Sequence, residues 1–294
     1  MMNIDEHTIT EAVIARLASC ESPRLKDILS SLVRHLHQFV RETQLTESEW
    51  MQGIEFLTAT GHMCDDKRQE FILLSDTLGV SMLNVAQNNA RPPGATEATV
   101  FGPFHVSGAP EYPLGADIAN GAPGQLLYVR ATLRGLDGRP VVGAVVDTWQ
   151  ADEDGFYDVQ VPGAALRARG VLRSDAQGQI YFRSILPVAY PVPTDGPVGQ
   201  MLLASGRHPW RPAHVHFMIQ AAGYDTLVTH VFRDGDQYLD SDAVFGVRSS
   251  LIAQFIHHDA GTPPFGPATD GGFYTLDFDF VLNPAAAPTL TDAP

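Results

Sequence analysis

Cysteine and basic residues are scarce in this sequence, and each scarcity excludes some classes of function. The 294 residues include two cysteines, Cys20 and Cys64, and both lie in helix-like segments. Two widely separated cysteines make neither a disulfide framework nor a cysteine-based zinc site. Lysine and arginine number 19 against 34 aspartates and glutamates, which gives a net charge of −15. This balance argues against nucleic acid or an anionic membrane as the main partner, because both attract basic surfaces.

Long apolar runs are missing as well. No stretch is long enough to cross a bilayer. The first ten residues, MMNIDEHTIT, lack the basic region and the apolar region of a secretory signal. We therefore expect a cytoplasmic protein. Hydrophobic residues make up 44% of the chain and charged residues 18%, which is ordinary for a globular domain.

The chain changes character near residue 95, which predicts a helical domain over residues 1–95 and a second domain over 96–294. Before the change, apolar residues recur at helical spacing along SPRLKDILSSLVRHLHQFVRE. Thr46 with Glu49 predicts a capping box that opens the next helix. A further helix-like run covers about 66–88, and RPPG at 91–94 ends it. Broad apolar stripes on so short a helical segment are suited to a dimer interface.

After residue 100, glycine and proline become frequent and short apolar runs alternate with turn signals. The stretch LLYVRATLRGLDGRPVVGAVVDTWQ predicts two strands joined by a turn at Asp137-Gly138. VLRSDAQGQIYFRSIL predicts a hairpin that turns near Gln177-Gly178, and FYTLDFDFVL at 273–282 predicts a late alternating strand. The predicted fold class is α+β, mainly β, with N-terminal helices followed by an antiparallel β-sandwich.

Two histidines lie in the strand-like run HPWRPAHVHFMIQ at 208–220. Residues two apart on a strand point to the same face, so His214 and His216 aim at one spot. A His-x-His pair on a strand is a common way to hold a transition-metal ion. Such a pair can also be two hydrogen-bonded core histidines. The strand alone leaves both interpretations open.

Two tyrosines of the second domain have unusual surroundings. Tyr157 follows an acidic, turn-rich segment in WQADEDGFYDVQ, and Tyr190 lies in ILPVAYPVPTDGPVG. The prolines around Tyr190 predict an irregular loop. A lone tyrosine is ordinarily a packing residue whose hydroxyl is wet or hydrogen-bonded. Neither position identifies a site by itself.

Taken together, these segments resemble the intradiol ring-cleaving dioxygenases. The resemblance rests on Asp-Gly-Phe-Tyr at 154–157, Pro-x-x-Tyr-Pro-x-Pro at 187–193, Arg-Pro-x-His-x-His at 211–216 and GPFHVSGAP at 102–110. It extends over essentially the whole chain, because the family begins with a helical domain that forms a dimer interface. It implies a catalytic β-sandwich with one Fe(III) per subunit, held by Tyr157, Tyr190, His214 and His216. It also implies a homodimer through the N-terminal helices, with a phospholipid often bound at the dimer interface.

The residue types suit this chemistry. Ferric iron is a hard cation that prefers anionic oxygen, which two phenolates supply. In the family reaction a 1,2-dihydroxybenzene binds the iron through both oxygens, O₂ attacks, and the ring opens between the hydroxyl-bearing carbons. The resemblance assigns two catalytic residues. Tyr190 is the ligand that substrate displaces and that takes up a substrate proton, and Arg211 stabilises negative charge on the ring.

The segment at 221–251, AAGYDTLVTHVFRDGDQYLDSDAVFGVRSSL, looks like the hydroxyquinol 1,2-dioxygenases. In catechol 1,2-dioxygenases the position of His230 is usually glutamine. Hydroxyquinol enzymes open 1,2,4-trihydroxybenzene to 3-hydroxy-cis,cis-muconate, which tautomerises to maleylacetate. The substrate pocket that this resemblance implies consists of Leu73, Asp76, Val100, Phe101, Gly102, Pro103, Phe104, Val192, Pro193, Arg211, His230 and Val244. Asp76 either accepts a hydrogen bond from the extra ring hydroxyl or faces solvent on its helix.

Three alternatives remain open on the sequence. The enzyme could act on catechol or a substituted catechol. The sandwich could be a metal-free, transthyretin-like binding or dimerisation module, in which the two tyrosines and two histidines would not converge. A third alternative is an Fe(II) oxygenase or zinc hydrolase that uses a carboxylate, for which His257-His258-Asp259 offers one.

Overall fold

The computed structural model of the chain describes residues 4–65, 68–161, 163 and 165–285. The density of contacts divides the chain into two compact units, Met1–Ala59 and Thr60–Pro294. The helices, numbered in chain order, are α1 Ile9–Arg16, α2 Pro23–Thr43, α3 Glu47–His62, α4 Glu70–Thr77, α5 Val80–Asn88 and α6 Pro197–Ala204. Within the described ranges, none of these helices combines the length and apolar character that crossing a membrane requires.

The first unit contains the predicted amphipathic helix, which is α2. Ser22 caps its start by accepting a hydrogen bond from the Leu25 backbone N–H, and Gln44 ends it in the left-handed conformation. The predicted capping box is confirmed, since the Thr46 N–H donates to Glu49 at 2.9 Å and the Glu49 N–H donates back at 3.3 Å. The apolar stripe of α2 is about half exposed at six positions: Leu25, Ile28, Leu32, Leu36, Phe39 and Val40.

The helical run predicted over 66–88 is two helices, so its continuity was wrong. Gly79 separates α4 from α5 with a φ of +73°, a conformation that stops a right-handed helix. Asp66 and Lys67, at the start of the predicted run, lie outside the described residues. The RPPG segment follows α5, as predicted.

The second unit is a β-sandwich. Its strands are β1 Leu126–Gly135, β2 Val145–Trp149, β3 Arg169–Arg173, β4 Gln179–Ile185, β5 Tyr190–Pro191, β6 Trp210–Arg211, β7 His214–Gln220, β8 Leu227–Arg233, β9 Ile252–Ala253, β10 Ile256–His258 and β11 Phe273–Leu282. One sheet has the order β10-β11-β1-β4, the other has the order β3-β2-β7-β8-β9, and β5 pairs with β6. Fully buried side chains fill the core, among them Val129, Leu133, Phe182, Phe217 and Phe280.

The predicted fold class, helices followed by a sandwich, is confirmed, with a difference in strand direction. Most pairs are antiparallel, but β1 pairs with β11 in parallel and β8 pairs with β9 in parallel. The late strand predicted over 273–282 coincides with β11.

The two turns predicted at Asp137-Gly138 and Gln177-Gly178 are present, but the strands that flank them do not pair with each other. Gly138 and Gly178 have φ angles of +76° and +74°. β1 and β4 belong to the four-stranded sheet, whereas β2 and β3 belong to the five-stranded sheet. The chain therefore crosses from one sheet to the other after each turn, and at Asp137-Gly138 it first makes one antiparallel bridge, between Arg134 and Pro140. Turn chemistry fixes where a chain reverses, and burial of the apolar faces decides which strands become partners.

Candidate active site

The two predicted histidines lie at the start of β7, in the middle of the five-stranded sheet. Both side chains are buried, with 2% exposure each, and their Nε2 atoms are 3.1 Å apart. The ring of His214 is fixed by a 2.7 Å hydrogen bond from its Nδ1 to the Pro212 carbonyl. With Nδ1 as the donor, Nε2 of His214 keeps its lone pair directed at the site.

Both predicted tyrosines reach the same place. The Tyr157 hydroxyl lies 2.9 Å from Nε2 of His216 and donates to the Tyr190 hydroxyl at 3.2 Å. Tyr157 is fully buried and Tyr190 is 4% exposed. The four residues therefore converge, contrary to what the metal-free alternative predicted.

One buried and one partly buried ion pair hold the segment that carries Tyr157. Asp158 pairs with Arg169, which also donates to the Phe104 carbonyl at 3.1 Å. Asp152 pairs with Arg167 at 3.0 Å. The Phe104 ring stacks on Tyr157 with centroids 4.5 Å apart. Opposite charges on both sides of Tyr157 thus compensate for burying this polar segment.

Tyr190 is not in an irregular loop, as the prolines around it predicted. It opens β5, and its register partner on β6 is Arg211. Two bridged residues suffice to place the tyrosine hydroxyl 3.4 Å from an Arg211 nitrogen. Gly155, with a φ of +83°, allows the close approach, since a Cβ there would lie 2.8 Å from Cβ of Tyr190. The glycine two residues before Tyr157 therefore makes room for the second tyrosine.

Arg211 is the cation of the site, and a residue that sequence reasoning did not assign holds it. Its guanidinium is 3.3 Å from Nε2 of His214 and pairs with Asp242 through Nε at 3.0 Å. Asp242 is buried and also accepts hydrogen bonds from the backbone of Val244 and Gly246. The signal was present in the acidic stretch RDGDQYLDSD at 233–242, but four acidic residues lie close together at 234, 236, 240 and 242, and spacing does not distinguish them.

Burial shifts the pKa of the three histidines and of Tyr157 toward the neutral form. Burial, then the Arg211 cation, lowers the pKa of His214 to about 3. Burial, then its histidine neighbours, puts the pKa of His216 well below the ordinary range. Burial and the Tyr190 hydroxyl raise the pKa of Tyr157 well above its ordinary value. Burial would also raise the pKa of Asp242, but Arg211 overcomes this and lowers it. The site is thus a cage of neutral donor atoms beside one ion pair.

His230 adjoins the pair as the register partner of His216 on β8. Its ring is stacked on His214 with centroids 4.7 Å apart, and Nδ1 lies 3.5 Å from an Arg211 nitrogen. Its Nε2 is buried without a hydrogen-bond partner in the part of the chain that the structure describes. Donor atoms of His214, His216 and His230 lie within 4.8 Å of one another, so this cluster can hold a metal ion.

The predicted pocket residues fall into two groups. A cavity of about 510 Å³ is lined by five of them among other residues: Leu73, Pro103, Phe104, Val192 and Pro193. Val100 and Val244 are buried outside this lining, and Phe101 is 43% exposed. Gly102 lies against the site, since a Cβ there would be 3.2 Å from Cε1 of His216.

Asp76 is buried on α4, so the alternative in which it faces solvent is wrong. It is 4% exposed, and burial raises its pKa, opposed by a hydrogen bond with the Ser81 side chain and by the Arg211 cation. The alternative metal site, His257-His258-Asp259, does not belong to this cluster. His257 and His258 lie on β10 in the four-stranded sheet, where Nε2 of His258 is 2.9 Å from the Thr275 hydroxyl.

Family models of known proteins match both the helical part and the sandwich part of the chain. The family model described as "Catechol dioxygenase N terminus" matches residues 22–96, and the one described as "Dioxygenase" matches residues 100–284. A 6-chlorohydroxyquinol 1,2-dioxygenase of Cupriavidus pinatubonensis is 62% identical, over 97% of this chain and 99% of the relative. The crystal structure of hydroxyquinol 1,2-dioxygenase from Pseudomonas putida DLL-E4 superimposes with a TM-score of 0.88 at 48% identity, covering 95% of this chain and 99% of that one.

The catechol branch is more distant in sequence and similar in fold. The crystal structure of catechol 1,2-dioxygenase from Pseudomonas arvilla C-1 has a TM-score of 0.83 at 27% identity, covering 100% of this chain and 97% of that one. Matches of this extent span the helices, the sandwich and the segments whose tyrosines and histidines converge. The chain therefore belongs to the intradiol ring-cleavage dioxygenases.

Proposed function

We propose that the chain cleaves hydroxyquinol, 1,2,4-trihydroxybenzene, with O₂ between its adjacent hydroxyl-bearing carbons. The product is 3-hydroxy-cis,cis-muconate, which tautomerises to maleylacetate. The observation that carries the proposal is the convergence of two phenols and two neutral imidazoles beside the buried Arg211 cation. Identity of 62% and 48% to enzymes named for hydroxyquinols, against 27% for the catechol enzyme, favours the trihydroxylated ring.

The metal of the proposal is one Fe(III) per subunit, bound by Tyr157, Tyr190, His214 and His216. The donor set fits such an ion. The Nε2 atoms of two neutral imidazoles lie 3.1 Å apart, and two hydroxyls 3.2 Å apart complete the group. Phenolate oxygens are the anionic ligands that a hard trivalent cation prefers. The positive charge of such an ion would therefore take the place of the hydroxyl protons in this buried site. When bound, such an ion would supply Lewis-acid chemistry that draws electron density out of the substrate ring.

The protein residues handle protons and charge. Tyr190 would be the ligand that takes up a substrate proton, and its hydroxyl has Arg211 and Tyr157 as hydrogen-bond neighbours. Arg211 stays cationic at any working pH, since Asp242 and Tyr190 raise its pKa despite burial. A fixed buried cation stabilises negative charge on a bound ring more strongly than water does.

The ring occupies the space beside the metal site. Leu73, Val192 and Pro193 give it apolar walls, and Phe104 closes the side toward Tyr157. His230 and Val244 lie beside the Arg211–Asp242 pair, since Nδ1 of His230 is 3.5 Å from an Arg211 nitrogen and the Val244 N–H donates to Asp242. Asp76 then accepts a hydrogen bond from the third hydroxyl, which plain catechol lacks.

A second candidate substrate is 6-chlorohydroxyquinol, for which the 62% identical relative is named. The test compares kcat/KM for hydroxyquinol, 6-chlorohydroxyquinol and catechol with purified, iron-loaded protein. We expect a visible tyrosinate-to-iron absorption band that shifts when substrate is added without oxygen, and catechol turnover well below that of either hydroxyquinol. Faster turnover of catechol would overturn the proposed substrate. A protein that stays colourless after ferric iron is supplied would overturn the proposed metal.

We also propose a cytoplasmic homodimer that associates through the helices of the first unit. The exposed stripe of α2 supports this, because six large apolar side chains on one helix face cost free energy in water. Leu36→Glu places a charge in the stripe and should shift the sedimentation coefficient toward that of a monomer. Arg34→Glu, on the opposite face of α2, should leave the dimer intact. A phospholipid at the dimer interface stays a prediction, which mass spectrometry of an organic extract would test.

A further inference from the structure

The two histidines of β7 are held in different ways. His214 donates from Nδ1 to a backbone carbonyl at 2.7 Å, the usual way in which a metal-binding imidazole is oriented. Nδ1 of His216 is buried and has no hydrogen-bond partner among the residues that the structure describes. Something other than a hydrogen bond at that nitrogen must fix the His216 ring.

Trp149 is in the position to do so. It is the register partner of His216 across β2 and β7, and the two rings stack with centroids 4.7 Å apart and an interplanar angle of 15°. Trp149 is fully buried, and its indole N–H also lacks a partner within the described ranges. Hydrogen bonding therefore does not account for the placement of this indole, whereas the contact of its face with His216 does.

The indole is itself immobilised on its other sides. The His105 ring packs edge-on against Trp149 with centroids 4.8 Å apart, and Nε2 of His105 is 2.7 Å from Asp147. The Phe101 ring lies 5.8 Å from Trp149. Across the His216 ring, His230 packs edge-on at 4.1 Å. The imidazole is thus confined between an anchored indole and a neighbouring strand.

We propose that Trp149 is a positioning residue that orients His216 for metal binding by ring stacking, and that its fluorescence reports occupancy of the metal site. This inference rests on the metal site proposed above. Loss of a group that orients a ligand typically weakens metal binding about 10- to 100-fold. A paramagnetic ion bound to His216 also lies close enough to the stacked indole to quench its emission.

The test titrates metal-depleted protein with ferric iron in competition with a chelator and follows the visible band. Trp149→Phe keeps an aromatic face and should bind iron within about threefold of the parent, whereas Trp149→Leu should lose about 10- to 100-fold. The matched controls are Trp50→Phe and Trp50→Leu, because Trp50 lies on α3 in the first unit and is about half exposed. Neither control should change iron affinity.

Emission gives the second readout. The chain has three tryptophans, so a Trp50→Phe, Trp210→Phe double variant leaves Trp149 as the reporter, and iron should quench most of its emission. Unchanged emission with the visible band present would overturn the proposal, as would equal iron affinity of Trp149→Leu and the parent. Equal losses in Trp149→Phe and Trp149→Leu would overturn stacking as the cause. A parent protein that binds no iron would overturn the metal site and this inference with it.

Discussion

Arg211 and Asp242 form a buried ion pair with two points of contact, Nε to Oδ1 at 3.0 Å and NH2 to Oδ2 at 3.3 Å. Their side chains are 4% and 2% exposed. The pair fixes the direction of the guanidinium, whose remaining nitrogen faces Tyr190 and His214. The carboxylate thus determines where the positive charge of the site is presented.

Replacing Asp242 by asparagine should destabilise the protein by about 3–5 kcal/mol, because it leaves the Arg211 cation buried without a counter-charge. Urea unfolding measures this change. Asp277→Asn is the control, since Asp277 pairs with Arg130 where both side chains are about half exposed. That change should cost less than about 1 kcal/mol. Equal costs for the two variants would contradict the importance we assign to the buried pair.

Replacing Asp76 by alanine should reduce discrimination between hydroxyquinol and catechol. A hydrogen bond to a charged or strongly polar partner contributes about 1.5–3 kcal/mol, so the ratio of the two kcat/KM values should fall about 10- to 100-fold. Most of the loss should appear with hydroxyquinol. Ile72→Ala, on the exposed side of the same helix, should leave the ratio unchanged. An unaltered ratio in Asp76→Ala would exclude contact with the third hydroxyl.

The metal-free protein should lose stability as the pH falls from about 6.5 toward 3. The pKa of His214 is lowered to about 3 in the folded state, so only the unfolded chain takes up its proton in this window. The unfolded state then binds more protons, and the free energy of unfolding decreases by about 1.4 kcal/mol per pH unit for this residue. Urea unfolding at several pH values measures the slope. His214→Gln should reduce the slope by that amount, and an unchanged slope would contradict a neutral buried His214.

Replacing Gly155 by alanine should weaken metal binding through Tyr190. The added Cβ would lie 2.8 Å from Cβ of Tyr190, so the tyrosine must move. Gly143→Ala is the control, because Gly143 has a similar φ of +71° but nothing within 4 Å of the added atom. Both variants should lose about 1–2 kcal/mol of stability from the left-handed conformation. Only Gly155→Ala should lower iron affinity and the visible absorbance, and a similar loss in the control would point to strain alone.

The sequence was informative where a pattern is local. Alternation along β7 placed His214 and His216 on one face, and the helical spacing of α2 was visible before the structure. The tyrosines required the family resemblance, since two residues 33 positions apart carry no periodicity that joins them. The tertiary structure brings the two tyrosines together, through the strands between which each of them lies.

Partners chosen by tertiary packing were not predictable. Asp242 lies far along the sequence from Arg211, and Trp149 lies far from His216. No spacing rule links the two residues of either pair. The strands around Asp137-Gly138 and Gln177-Gly178 separate into two sheets because each must bury an apolar face, which a turn motif does not encode. Gly79 was visible in the sequence, but a single glycine is often tolerated within a helix, so the break needed the structure.

The parallel pairing of β1 with β11 also bears on how the chain folds as it is synthesised. Leu127 is paired with Tyr274 and Gly135 with Leu282, and β11 occupies an inner position of its sheet. The four-stranded sheet therefore lacks an inner strand until residues 273–282 have left the ribosome. Contacts so distant in sequence form slowly, because a long loop must close before they are made. Until then one edge of β1 has no strand partner, which makes the nascent sandwich a candidate for chaperone binding.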